Sequence, residues 1–222
     1  MPATADTSTT VTAPRGMQRA HHPGWRRASA VSAIAAPFAY VLSVVLGVEH
    51  TDDHDRQLDI INSHTASFTT MVLLEYACYI LAAATAVAVA LRLSSSRGGR
   101  IAGVGAILCV VGSSAGLAGF GGAMPVLAKP EYRTAALYFI DHLGPIYAVT
   151  LALAILMHLG LLVMFFALWR SGEVAWPWLV TSALALIVSA VIGDGRVENA
   201  VTMSVLTVGF MGIARFLADP NH

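Results

Sequence analysis

The stretch IYAVTLALAILMHLGLLVMFFALW, residues 146–169, contains no Asp, Glu, Lys or Arg. A helix that crosses a bilayer needs roughly 20 mainly apolar residues, and this stretch is long enough. Five further apolar runs of comparable length fill most of the remaining chain, at residues 29–48, 67–93, 101–123, 174–192 and 199–217. The sequence therefore predicts six membrane-spanning segments.

The composition supports a membrane environment, because the chain is 56% hydrophobic and only 12% charged. Soluble domains usually carry about 25% charged residues. Backbone groups inside lipid must hydrogen-bond within their own segment, which favours helices. The predicted fold is all-α: one polytopic helical bundle of six transmembrane helices over residues 29–217.

The distribution of basic residues predicts the orientation, since Lys and Arg concentrate in short cytoplasmic loops. With the N-terminus inside, nine basic residues lie inside: Arg15, Arg19, Arg26, Arg27, Arg92, Arg97, Arg100, Arg170 and Arg215. Four lie outside: Arg56, Lys129, Arg133 and Arg196. We therefore expect a multi-pass protein of the cell membrane, with a disordered cytoplasmic tail at residues 1–28 and a short one at 218–222.

Several partners and chemistries are disfavoured by the sequence. The net charge is zero, so nothing in the charge balance supports binding to nucleic acid. Cys78 and Cys109 lie inside apolar runs, where they behave as small apolar residues and do not form a disulfide framework. No catalytic motif is recognisable, which argues against an enzyme, and no cofactor is predicted.

Two predicted outer segments are amphipathic. In residues 49–66, Thr51 is a candidate N-cap, and Leu58 and Ile61 share a helix face. In residues 130–143, apolar residues recur at helical spacing from Ala136 onward. Both segments are predicted to lie in the membrane interface, and a re-entrant loop at 124–143 is the alternative.

The first outer segment is also the densest group of metal-ligand residue types. Imidazole and carboxylate groups suit zinc, copper or nickel. A divalent metal site would draw on Glu49, His50, His54, His64 and His142. The alternative interpretation is a solvated acidic loop near the lipid headgroups.

Glu75 and His158 are the ionisable side chains deep inside apolar runs. A charge in lipid is costly unless it is paired or neutralised, so both should face the bundle interior. A hydrogen bond between Glu75 and His158 could relay protons. The alternative is a structural polar contact that fixes the packing of two helices.

The third apolar run carries glycines at helical spacing. Small residues on one face allow another helix backbone to approach closely. We therefore expect this helix to pack centrally, through Gly105, Gly112, Gly116 and Gly119.

Three local patterns carry a resemblance. They are the acidic and histidine segment Val48-Glu49-His50-Thr51-Asp52-Asp53, the turn and glycine-rich helix start Ser96-Arg97-Gly98-Gly99-Arg100-Ile101-Ala102-Gly103-Val104-Gly105, and the turn residues Trp169-Arg170-Ser171-Gly172 and Trp176-Pro177-Trp178. The chain resembles the uncharacterised six-helix integral membrane proteins common in actinobacteria. The resemblance implies the same architecture over residues 29–217 and transfers no catalytic residue.

Three functions remain open from the sequence. The first is a small structural or partner-binding membrane protein that contacts another membrane protein or a second copy of itself. The second is a small transporter or permease that uses the Glu75–His158 pair. The third is an extracytoplasmic metal-binding membrane protein or enzyme.

Overall fold

The computed structural model describes residues 23–51, 53–118, 120–142, 144–191 and 196–220. These residues form helices joined by turns, with no strand among them, which confirms the all-α prediction for this part of the chain. Residues 1–22 of the predicted N-terminal tail and 221–222 of the C-terminal one lie outside the described residues.

Six helices form the bundle, and we label all helices in chain order. They are α1 (Pro23–Leu46), α3 (Thr65–Leu93), α4 (Gly99–Leu117), α7 (Gly144–Arg170), α8 (Trp176–Val191) and α9 (Arg196–Ala218). Three shorter helices lie between them: α2 (His54–Ser63), α5 (Met124–Leu127) and α6 (Arg133–His142). Two 3-10 turns, Phe120–Gly122 and Pro130–Tyr132, flank α5.

Two helix ends differ from the predicted span boundaries. Helix α1 begins at Pro23, so residues 23–28 are helical and not part of a disordered tail. Proline suits the first helical position, because its fixed φ matches the helix and its missing N–H has no partner there anyway. Helix α4 ends at Leu117, before the predicted 123, since the glycine-rich residues that follow form a 3-10 turn at Phe120–Gly122.

Within the described residues, three helices are long and apolar enough to cross a membrane: α1, α3 and α4. Shorter apolar stretches occur at Ile155–Arg170 in α7 and at Ser204–Ala218 in α9.

The six long helices pack as a closed ring. Helix α1 packs against α3 and α9, and α4 packs between α3 and α7. Helix α8 contacts α7 and α9, which completes the ring. Large buried side chains fill its interior at the end where α3 finishes, among them Phe165 of α7 and Phe210 of α9 with ring centroids 5.9 Å apart.

Helices α4 and α7 make the most extensive contact in the ring. At the glycine positions their backbones touch, with no side chain between them. A Cβ built on Gly112 would lie 2.1 Å from the amide nitrogen of Met157, and one on Gly105 would lie 2.9 Å from the carbonyl oxygen of Gly160. Gly160 has the reciprocal relation, with a Cβ 2.5 Å from the amide nitrogen of Cys109. No side chain larger than hydrogen fits at these positions without moving a helix.

The other predicted packing glycines lie elsewhere. Gly116 faces α3, where a Cβ would lie 2.8 Å from the ring of Tyr79. Gly119 lies outside the described residues. Helix α4 therefore uses glycine toward both neighbours, α7 and α3.

We predict that Gly112→Ala destabilises the bundle by roughly 1–3 kcal/mol, the usual cost of overpacking, because its methyl group would meet the α7 backbone. Gly103→Ala in the same helix is the matched control, since no atom lies within 4 Å of a Cβ there. Thermal unfolding of both variants in detergent measures the difference. Equal stability of the two variants would show that α4 and α7 can move apart to admit a methyl group with no loss of stability.

Candidate functional site

The described connections at one end of the bundle fold into a separate unit, which we call the outer cap: α2, α5 and α6. The apolar residues of the cap and of the first turns of α3 form one cluster, which is separate from the main core. The buried members are Leu58, Ile61, Phe68, Val72, Ala128 and Ala136. Leu58 and Ile61 are at most 1% exposed. Leu58 and Ile61 of the first outer segment and Ala136 of the second therefore pack against protein.

Asp53 positions the start of α2. Its carboxylate accepts a hydrogen bond from the backbone N–H of Arg56, 3.2 Å away, as an N-cap does. The expectation that Thr51 caps this helix was wrong. The Thr51 backbone N–H instead donates to the side-chain oxygen of Gln57 at 2.8 Å, which folds the preceding chain back onto α2.

Arg133 links the two halves of the outer cap. Its guanidinium, at the start of α6, donates to Asp55 at 2.9 Å and also binds Asp59. It donates a further hydrogen bond to the backbone carbonyl of Asp55 at 3.0 Å. Asp55 and Asp59 lie four residues apart, on one face of α2, so one planar guanidinium reaches both.

This arrangement perturbs the titration of its members. The hydrogen bond from Arg133 holds the pKa of Asp59 below its ordinary value. The same bonds to Asp59 and Asp55 raise the pKa of Arg133, so the guanidinium stays charged. Single exposed ion pairs contribute little, but here one arginine makes several bonds to two carboxylates.

The five candidate metal ligands are spread along the outer cap. Glu49 and His50 precede α2, His54 begins it, His64 follows it and His142 ends α6. Between residues 23 and 220, leaving out the undescribed positions, no three His, Cys, Asp or Glu side chains converge as a metal site would require. Asp52 of the same segment lies outside the described residues, so the metal site stays a prediction.

Three of these histidines have local partners. The Nδ1 atom of His54 lies 3.7 Å from a carboxylate oxygen of Asp141, which adds a second contact between α2 and α6. His64 Nδ1 lies 2.9 Å from the Ser63 hydroxyl. His142 Nδ1 lies 2.8 Å from the Tyr138 carbonyl, and its ring stacks on the Tyr138 ring. These contacts fit histidines that hold the ends of helices.

The two residues of the predicted polar pair, Glu75 and His158, lie on helices that contact each other at only a few points. Glu75 of α3 and His158 of α7 are each half-buried. Helices α3 and α7 both pack far more extensively against α4 than against one another. On its own helix, Glu75 interacts electrostatically with Tyr79, which in turn interacts with Tyr40 of α1. The Glu75–His158 hydrogen bond stays a prediction.

Sequence reasoning missed one polar contact at the opposite end of the bundle. Arg92, in the last turn of α3, donates to the carbonyl oxygen of Leu217 at 2.8 Å and to that of Asp219. Its guanidinium also lies 5.0 Å from the centre of the Phe216 ring. The basic residues near helix ends indicated only orientation, and nothing local to Arg92 identifies α9 as its partner.

Comparisons of the chain with protein-family models, with curated proteins and with solved structures find no match. The resemblance to the six-helix actinobacterial proteins therefore stays an expectation.

We predict that the outer cap loosens in acid because Asp59 must stay ionised to hold Arg133. Since the pKa of Asp59 is lowered in the folded protein, its contribution is complete above the ordinary value of 3.8 and is lost as the pH falls below it. Spin labels at Asn62 and Ala135 measure the separation of α2 and α6 by pulsed EPR. We expect a narrow distribution at neutral pH that broadens below the ordinary value.

Asp59→Asn should give the broad distribution at every pH, whereas Glu131→Gln in the neighbouring turn should leave the wild-type profile unchanged. A wild-type profile in Asp59→Asn would show that the apolar cluster alone holds the cap.

Proposed function

We propose that this chain is a six-span protein of the cell membrane with both termini cytoplasmic. We propose further that it binds a protein partner through the outer cap and does not catalyse a reaction. The observation that carries the proposal is the outer cap itself, in which two connections fold against each other and are linked through Arg133.

The ring of helices supports six spans. Helices α7, α8 and α9 pack side by side with α1, α3 and α4, which supports a common membrane environment for all six. Exposed large apolar residues line their outer surfaces, among them Ile107 of α4, Ile155 of α7 and Leu184 of α8. Such surfaces are stable in lipid and costly in water.

The two ends of the ring differ in charge, and this supports the orientation. The end that holds the start of α1 and the end of α3 carries most of the arginines of the described chain: Arg26, Arg27, Arg92, Arg97, Arg100, Arg170 and Arg215. The outer cap lies at the other end and carries Asp55, Asp59 and Asp141. Basic residues favour the cytoplasmic side, which supports an extracytoplasmic position for the cap.

The length of the outer connections supports a binding role. Connections between helices in a bundle usually run to about 2–8 residues, and much longer ones are usually functional. Here residues 47–64 connect α1 to α3, and residues 118–143 connect α4 to α7. At the opposite end, residues 94–98 and 171–175 suffice.

The outer cap offers a surface that is already ordered. Its apolar cluster and its ion pairs fix α2 relative to α6, so a partner would not have to order them on binding. Tyr132 and Tyr138 are 47% and 66% exposed beside the charged residues Lys129 and Glu131. Tyrosine is enriched among residues that dominate binding energy, and it costs little conformational entropy to fix.

The topology can be tested with single cysteines in a background where Cys78 and Cys109 are alanine. A membrane-impermeant maleimide added to intact cells should label Glu131→Cys and Asp194→Cys. It should label Ser95→Cys and Ala175→Cys only after permeabilisation. Labelling of Ser95→Cys in intact cells would refute the cytoplasmic assignment of that end, and protection of Asp194→Cys would refute six spans.

Partner binding can be tested with a photo-crosslinking amino acid at position 138, on the outer cap. We expect a discrete protein adduct from intact cells, because Tyr138 is exposed on an ordered surface. An adduct of twice the mass identifies a second copy of the chain as the partner. The probe at position 107, on the outer surface of α4, is the control and should yield lipid adducts.

The same probe in an Arg133→Gln variant should give several-fold less adduct, because α2 and α6 are no longer fixed. Protein adducts from position 107 with none from position 138 would place the binding surface on the spans and contradict the proposal.

A further inference from the structure

Two arginines converge at the end of the bundle opposite the outer cap. Arg26 lies in the first turn of α1 and Arg92 in the last turn of α3, and α1 packs directly on α3. Both helices are long and apolar enough to cross a membrane, so the two guanidinium groups lie at the same membrane surface. Both side chains line the same cleft, so their like charges repel each other.

The small cleft that both side chains line has a volume of about 10 Å³. It has room for a single oxygen atom or water molecule and no more. The residues that line it are Trp25, Arg26, Ser29, Ala88, Arg92 and Leu217. Trp25 is 40% exposed at its edge, and tryptophan is enriched where a membrane meets water.

Arg92 is held rigidly in this cleft. It donates to the carbonyl oxygen of Leu217 at 2.8 Å and to that of Asp219, and it lies over the ring of Phe216. Three charged groups act on its charge: Asp219 after α9, Glu173 in the turn before α8, and Arg26 in α1. The arrangement fixes the guanidinium without placing a carboxylate among the residues that line the cleft.

Arg26 lacks an equivalent set of acceptors. Its Nε atom is buried and has no hydrogen-bond partner among the described residues. A buried donor of a charged group without an acceptor is costly, and a second guanidinium beside it increases the cost. An anionic oxygen in the cleft would accept from Arg26 and offset the repulsion between the two arginines.

We propose that Arg26 and Arg92 bind the phosphate group of an anionic phospholipid. One phosphate oxygen enters the cleft, and the glycerol and acyl chains lie along the apolar surface of α1 beside Trp25. Arginine matches phosphate geometry through several N–H groups, and the site lies at the depth of the headgroups. The phosphate chemistry is shared with free inorganic phosphate, and the experiment separates the two. The site is independent of the partner surface on the outer cap.

Native mass spectrometry of the full chain in detergent tests the proposal, by titration with phosphatidylglycerol and with phosphatidylcholine of the same acyl chains. We expect roughly tenfold tighter binding of phosphatidylglycerol, because the choline cation of phosphatidylcholine repels the two arginines and offsets the charge of the phosphate that both lipids carry. Arg26→Gln should remove that preference. Arg27→Gln, at the exposed neighbouring position, is the matched control and should keep the preference. Arg26→Lys keeps the charge and should retain part of it.

Three results would overturn the proposal. The first is an unchanged preference in Arg26→Gln, provided that this variant stays monodisperse like the wild type. The second is an equal loss in Arg26→Gln and Arg27→Gln, which would indicate general surface charge. The third is displacement of phosphatidylglycerol by millimolar inorganic phosphate, which would identify the free anion and not the lipid as the ligand.

Discussion

Backbone contact between α4 and α7 is the constraint on which the rest of the bundle depends. Lipid is as apolar as leucine, so burial alone does not hold two helices together in a membrane, and close van der Waals packing must do so. Gly105, Gly112 and Gly160 allow the two backbones to touch. Because α4 also presents Gly116 to Tyr79 of α3, one helix fixes the positions of both neighbours. At these glycines the two helices leave no space between their backbones.

The outer cap is stabilised by different interactions, since it lies beyond the ends of the long bundle helices. There an apolar cluster around Leu58 and Ile61 is buried away from solvent. Arg133 of α6 binds the carboxylates of Asp55 and Asp59, which both lie on α2. The cluster supplies most of the favourable free energy, whereas the ion pairs fix which face of α2 meets α6. The cap therefore has a fixed orientation relative to the bundle, whereas a pair of flexible loops would not.

The sequence predicts the parts of this fold that depend on near neighbours along the chain. Long apolar runs located the helices, and spacing alone placed Leu58 and Ile61 on one face. Contacts between segments that are distant in the sequence could not be predicted, because a charged residue alone does not indicate which residue it will pair with. Arg133 lies 78 residues from Asp55 and 74 from Asp59, and Arg92 lies 125 from Leu217. Two acidic residues of the segment that suggested a metal site, Asp55 and Asp59, are instead the partners of Arg133.

An arginine side chain has a different hydrogen-bonding state at each end of the bundle. Arg133 is surrounded by acceptors from its own chain, so it needs nothing further and acts as a structural link. Arg26 has a buried donor without an acceptor among the described residues, beside a second arginine whose contacts are already fixed. A satisfied arginine stabilises the fold, whereas an unsatisfied one at a membrane surface favours a ligand that carries negative charge. The end that carries the cap therefore holds an arginine paired within the chain, whereas the opposite end holds an arginine whose buried N–H has no acceptor among the described residues.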